Sequence, residues 1–203
     1  MVTAVSTEDN ILEAARQVFM QKGFAAARMC DIAKAANINP ALLHYYFRKK
    51  DKLFSLIFER ESSNFHSNIL SILRSDRPFF EKLRLMVETE IKKAVSAPYL
   101  PMFVLNEMHS NPERAQQCFG TDHRHTELFN AFQEVVVAEQ AAGRIRPVCP
   151  RQLFLSMLGL TMFPFLAQPM IKMAMGIDHC SFDQLIADRS EYVSDMLLKS
   201  LQV

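Results

Sequence analysis

The residues best equipped for chemistry fall into a few small groups. Arg48, Lys49, Lys50 and Lys52 follow one another almost without interruption, a cluster that can neutralise phosphates or simply solvate the start of a helix. His123 and His125, with Cys118 nearby, have the residue types of a metal site. On a helix, however, an HxH pair points its rings roughly 200° apart, and the sequence predicts no metal. Glu88, Glu90, Glu107 and His109 sit inside apolar helical runs, each either an anchor for a bound molecule or a solvated side chain. Cys30, Cys118, Cys149 and Cys180 are far apart with no CxxC pair, which predicts reduced thiols in a cytoplasmic protein. There is no glycine-rich phosphate loop, GxSxG, HExxH or spaced nucleophile–base triad. Neither an enzyme nor a cofactor is expected.

The basic cluster gains meaning from the elements in front of it. Asp31 to Lys50, DIAKAANINPALLHYYFRKK, reads as two short helices joined by a tight polar turn. Ile32, Ala33 and Ala36 make one apolar side of the first. The turn runs through Asn37 and Ile38, and Asn39 caps a second helix that begins at Pro40, where a missing amide proton is harmless. Upstream, Thr7 is the expected cap of a helix bearing Ile11, Leu12, Ala15, Val18 and Phe19 on one face, stopped by Gly23. Phe24 then folds back onto the same apolar side. Three helices around a small core, with so short a turn between the last two, form a helix-turn-helix unit whose final helix can enter the DNA major groove. The groove-facing set expected is Asn39, Pro40, Ala41, Leu42, His44 and Tyr45, with Leu43, Tyr46 and Phe47 packed inward. Phosphate contacts are expected from Arg28, Lys49 and Lys50 and from the backbone near Met29.

Over roughly the first 55 residues the chain resembles the DNA-binding domain of the TetR family of transcriptional regulators. The resemblance rests on Gly23 and Phe24 ending the first helix, then Ile32, Ala33, Ala36, Ile38, Leu43, Tyr46 and Phe47, and finally Lys50, Asp51, Lys52 and Leu53. Leu42 stands where the family often has threonine, and His44 where it often has tyrosine, so base preference departs from the common pattern. The resemblance implies an all-α protein, with a three-helix DNA-binding domain over residues 1–50 and a helical effector-binding and dimerisation domain over 51–203. It further implies a homodimeric repressor that binds a near-palindromic stretch of double-stranded DNA and is released by a small apolar or amphipathic effector. The alternative is a helical small-molecule-binding or protein-interaction module without operator binding.

The rest of the chain fits that outline. With 203 residues and 49% hydrophobic content there is material for a real core. The net charge is +1, distributed as nine Lys/Arg against six Asp/Glu up to Arg60 and a slight acidic excess beyond. Almost no strand signal is present. Helices are expected from Asp51 to about Leu73, Phe79 to Val95, Met102 to His109, Glu113 to Phe119, Asp122 to Ala142, Arg151 to about Met175 and Phe182 to Leu201. No flexible linker separates the halves, so the helix from Asp51 belongs to both. No signal peptide is evident at the start of the sequence. The apolar region Leu153 to Met175 is interrupted by Pro164, Gln168, Pro169 and Lys172, which favours a buried interface helix over a membrane span. Met86, Phe103, Glu107, Phe129, Phe132, Met157 and Met162 are the candidate effector-pocket residues, because methionine and phenylalanine can line an adaptable cavity. Phe154, Leu158, Thr161, Phe165, Val193, Met196 and Leu197 are the candidate dimer surface.

Overall fold

The computed structural model describes residues 6–98, 101, 102, 105, 109 and 124–203, and among them every regular element is a helix. These elements are α1 (Thr7–Ala26), α2 (Met29–Ala35), α3 (Pro40–Tyr46), α4 (Lys50–Arg74), α5 (Phe79–Ser96), α6 (Arg124–Ala141), α7 (Pro150–Leu166), α8 (Gln168–Met175), α9 (His179–Ala187) and α10 (Arg189–Leu201). They divide into two compact units. The first takes in residues up to Asn64, and the second begins at Phe65, so the continuous α4 contributes residues to both. The helices expected over Met102–His109 and Glu113–Phe119 lie largely or wholly outside the described residues.

The first unit is stitched by short-range caps. Ser6, one residue before the cap expected from the sequence, accepts the Asp9 amide at 3.0 Å and starts α1. Gly23 breaks that helix with φ 73°, a region open to glycine because it lacks a Cβ. The chain then returns Phe24 to within 5.7 Å of the Phe19 ring and 5.1 Å of Phe54. Ile11, Ala15, Phe19, Ile32, Leu43 and Leu53 are almost wholly buried there.

The second unit has its own core, built from Leu83, Met86 and Val87 of α5, Phe132 and Val136 of α6, Met157 of α7, and Val193, Leu197 and Leu201 of α10. Two helices read as continuous in the sequence are broken here. The expected Arg151–Met175 helix divides at Ala167, and α7 and α8 meet at 76°. The cause is local: Pro164 has no amide to give the Leu160 carbonyl, and Pro169, in the first turn of α8, has none to give Phe165. The freed carbonyl is answered from α10, where the Arg189 guanidinium donates to Leu160 O through Nε at 3.2 Å and Nη2 at 2.9 Å. The expected Phe182–Leu201 helix is likewise interrupted at Asp188, immediately before that arginine. No single described helix is long and apolar enough to cross a membrane; α7 and α8 reach that composition only together, across their bend.

Candidate functional site

The α2–α3 turn explains how the reading helix is aimed. After α2 ends, Asn37 takes the left-handed conformation at φ 53°. Its amide donates to Lys34 O at 3.1 Å and the Ile38 amide to Ala33 O at 3.0 Å, the paired closing bonds of a Schellman motif. Asn10 of α1 donates through Nδ2 to Ala36 O at 2.9 Å, tying the turn to the first helix. Asn39 Oδ1 then accepts the Ala41 amide at 2.8 Å, and Pro40 takes the first helical position. At the start of α2, Asp31 accepts the Arg28 amide at 3.2 Å and pairs with Lys22 at 2.9 Å. Lys22 first, and the Arg28 amide after it, hold the Asp31 carboxyl below its ordinary value.

This scaffold buries Leu43 and Phe47 and leaves Asn39, Pro40, Ala41, Leu42, His44 and Tyr45 exposed, Tyr45 most of all at 81%. Helical spacing groups Ala41, Leu42, His44 and Tyr45 on one side, an outward surface of a methyl, an isobutyl, an imidazole and a phenol. Tyr46, expected inside, is 41% exposed, because at the end of the helix its ring lies edge-on to Tyr45 at 5.5 Å rather than in the core. Arg28 and Lys49 are exposed and Met29 is half-buried.

Lys50 is used differently from the expectation. Its ammonium donates to Phe24 O at 2.7 Å, Ala27 O at 3.1 Å and Ala25 O at 3.3 Å, and lies 4.4 Å from the Phe24 ring centroid. An ammonium has three protons, and here each has a carbonyl. The residue closes the end of α1 against the start of α4, which leaves Arg28 and Lys49 as the accessible cations of the expected phosphate set.

In the second unit Met86, Phe132 and Met157 lie in the core, while Phe129 and Met162 are half-buried. Phe103 and Glu107 fall outside the described residues. The expected dimer set divides: Thr161, Val193 and Leu197 are buried by their own protomer, and Phe154, Leu158 and Phe165 are partly so. Only Met196 of that set counts as exposed. The apolar residues actually presented by α7 and α10 are Leu155, Phe163, Tyr192 and Met196, one helical face away from those expected. Tyr192 and Met196 also line an open groove of about 510 Å³ along α10. A second open groove, of about 570 Å³, lies between the end of α4 and α6 and is lined by Leu73, Arg74, Glu127 and Val135, none of them among the expected pocket residues. Among the described residues no three metal-ligating side chains converge.

Of the two readings open for Glu90, the structure shows the buried one, and it pairs the carboxylate with Thr161, a residue expected at the dimer surface. Glu90 on α5 is 4% exposed, and its Oε2 accepts the Thr161 hydroxyl of α7 at 2.6 Å. Burial lifts the Glu90 carboxyl to about 7, opposed only by that hydrogen bond. A sequence signal for it exists: Leu83, Met86, Val87, Ile91 and Ala94 define the buried face of α5, and Glu90 occupies the same phase.

The model of the bacterial regulatory proteins of the tetR family matches residues 11–57, the span of the capped turn and its flanking helices. That stretch is a TetR-type DNA-binding unit. Along its length it is 25% identical to the transcriptional repressor NicS of Pseudomonas putida, over 97% of this chain and 92% of that protein. Two solved structures share the fold. FadR of Bacillus subtilis, in complex with stearoyl-CoA, gives a TM-score of 0.67 at 17% identity, over 94% of this chain and 97% of that one. AibR, in complex with isovaleryl coenzyme A and operator DNA, gives 0.63 at 20% identity, over 83% of this chain and 97% of that one. The likeness to TetR-family proteins is thus strongest in sequence at the helix-turn-helix, and extends through the rest as fold.

Proposed function

We propose that this protein is a homodimeric transcriptional repressor whose α3 reads a near-palindromic operator and whose C-terminal helices bind a small effector that releases the DNA. The observation that carries the DNA-binding part is the solvent-facing Ala41–Leu42–His44–Tyr45 surface, held by the Asn39 cap and the Schellman turn. Leu42 and Ala41 suit thymine methyl groups, and His44 and Tyr45 can hydrogen-bond to bases or phosphates. Arg28 and Lys49 supply phosphate contacts. Residues 1–50 act as the reading head and 51–203 as the effector and dimer domain, and the protein works in the cytoplasm without enzymatic activity.

Repression as the sign is supported by the likeness to NicS, and an effector by the acyl-coenzyme A complexes of FadR and AibR. The partner-facing surface is Leu155, Phe163, Tyr192 and Met196. Two copies related by a twofold axis present two reading helices to half-sites in successive turns of the groove. An effector that shifts α4 needs a coupling of only about 1–3 kcal/mol to weaken operator binding by about 5- to 150-fold.

Fluorescence anisotropy on the DNA upstream of its own gene, with and without a metabolite extract, tests the reading. The expected result is sequence-specific binding by a dimer, relieved by the extract. Effector binding with no preference for any duplex would instead identify a carrier. Lys49→Ala is expected to lower the salt slope by about one phosphate per subunit, and Tyr45→Ala to change the sequences recovered from a random-duplex selection.

A further inference from the structure

An isolated carboxylate inside an apolar core is strongly unfavourable unless it is paired or neutralised. Glu90 has neither remedy in full. Its Oε2 accepts the Thr161 hydroxyl, and among the described residues no basic side chain pairs with it. Thr161 also lies 2.9 Å from Met157 O, a helical back-bond that fixes the hydroxyl on the face shared with Glu90. Around the pair the side chains are soft. Met86 and Met157 each precede one of the two residues by a helical turn, and both belong with Phe132 to the same core cluster. Methionine can change shape at low cost to admit a guest. A core that needed only stability would be better served by leucine at position 90.

We propose that Glu90 and Thr161 are the polar anchor of the effector site, and that they select a cationic effector: a protonated nitrogen on a compact apolar body. The idea rests on the ligand-responsive reading above and names the ligand class for it. A cation supplies the counter-charge that Glu90 lacks in the core, and the body of the ligand lies among Met86, Phe132 and Met157. A carboxylate ligand meets repulsion there whenever Glu90 is ionised, and a neutral alcohol leaves the carboxylate unpaired. Discrimination among these three head groups is therefore the signature.

The test uses the full-length protein and three isosteric probes: 4-butylbenzylamine, 4-butylbenzyl alcohol and 4-butylbenzoate. Titration calorimetry is expected to show the amine binding at least about tenfold more tightly than either of the others. In buffers of different ionisation enthalpy at pH 6.5, amine binding is expected to release protons, as Glu90 ionises to meet the ammonium. Glu90→Gln keeps the shape and removes the charge, and is expected to abolish both the preference and the proton release. The proton measurement on the unaltered protein stands even where that variant folds poorly. Equal or stronger binding of the alcohol or the benzoate, amine binding unchanged in Glu90→Gln, or no amine binding at all overturns the proposal. If it falls while a metabolite extract still releases operator DNA, the ligand-responsive reading survives without it. Failure of both assays removes both.

Discussion

In the first unit, polar side chains serve backbone atoms at the surface, and most reach only a few residues along the chain. Ser6 receives Asp9, Asp31 receives Arg28 and Asn39 receives Ala41. The reaches to backbone from Asn10 to Ala36 and from Lys50 to Phe24 span 26 residues, and the exposed Arg60–Asp9 pair spans 51. In the second unit the deciding polar contacts are buried or half-buried and join distant helices: Glu90 to Thr161 across 71 residues, and Arg189 to Leu160 across 29. The contrast separates two tasks. A reading head needs a fixed shape, and local caps fix shape without placing charge in a core. The polar anchor proposed for the effector needs a place where water is absent, and that can be built only between helices brought together by folding.

Breaking the head should have the largest effect. Phe19→Ala removes a fully buried ring that touches Phe24 and Phe54, and is expected to lower stability by about 3–5 kcal/mol and to abolish operator binding. Urea titration of the full chain checks it. Loss confined to one of two unfolding transitions would show how independently the two units melt.

Glu90 offers a pH-dependent effect of similar size in the other unit. Burial raises its carboxyl from 4.5 to about 7, so between those values the folded protein holds a proton that the unfolded chain has released. Stability should therefore fall as pH rises from about 4.5 to about 7, by about 3 kcal/mol, and level off above. Glu90→Gln should flatten that slope. A slope that persists in the variant assigns the dependence to other groups.

A smaller effect is expected from Arg189→Met, which keeps the apolar stem but strands the Leu160 carbonyl freed by Pro164. The expected loss is about 1–3 kcal/mol. Size-exclusion chromatography with light scattering should show a weaker dimer as well, since α7 and α10 carry the proposed partner face. Unchanged stability would mean that the carbonyl finds another donor.

The finest distinction lies between adjacent lysines. Lys50→Met should destabilise the fold by about 1–3 kcal/mol through three lost carbonyl contacts. Lys49→Ala, at an exposed position, should change stability by under about 0.5 kcal/mol and act on the salt slope alone. Reversal of that pattern would return Lys50 to the phosphate contacts.

What the sequence determined by itself was the head. The Asn37 turn, the Asn39–Pro40 start, the Gly23 break and the buried phase of Leu43 and Phe47 were all legible, because each depends on residues within a turn or two of one another. Helix periodicity likewise marked most of the C-terminal elements. Tertiary structure alone decided the facing of residues whose helices are apolar on more than one side. That is why α7 and α10 turned Thr161, Val193 and Leu197 inward and left Leu155, Phe163 and Tyr192 outside. It also decided the use of Lys50, whose partners lie at the end of α1, beyond two intervening helices, and the burial of Glu90, whose partner Thr161 comes from another helix. Caps are local interactions written in adjacent residues, whereas burial is a property of the assembled core, and a side chain acquires it only when a distant helix arrives.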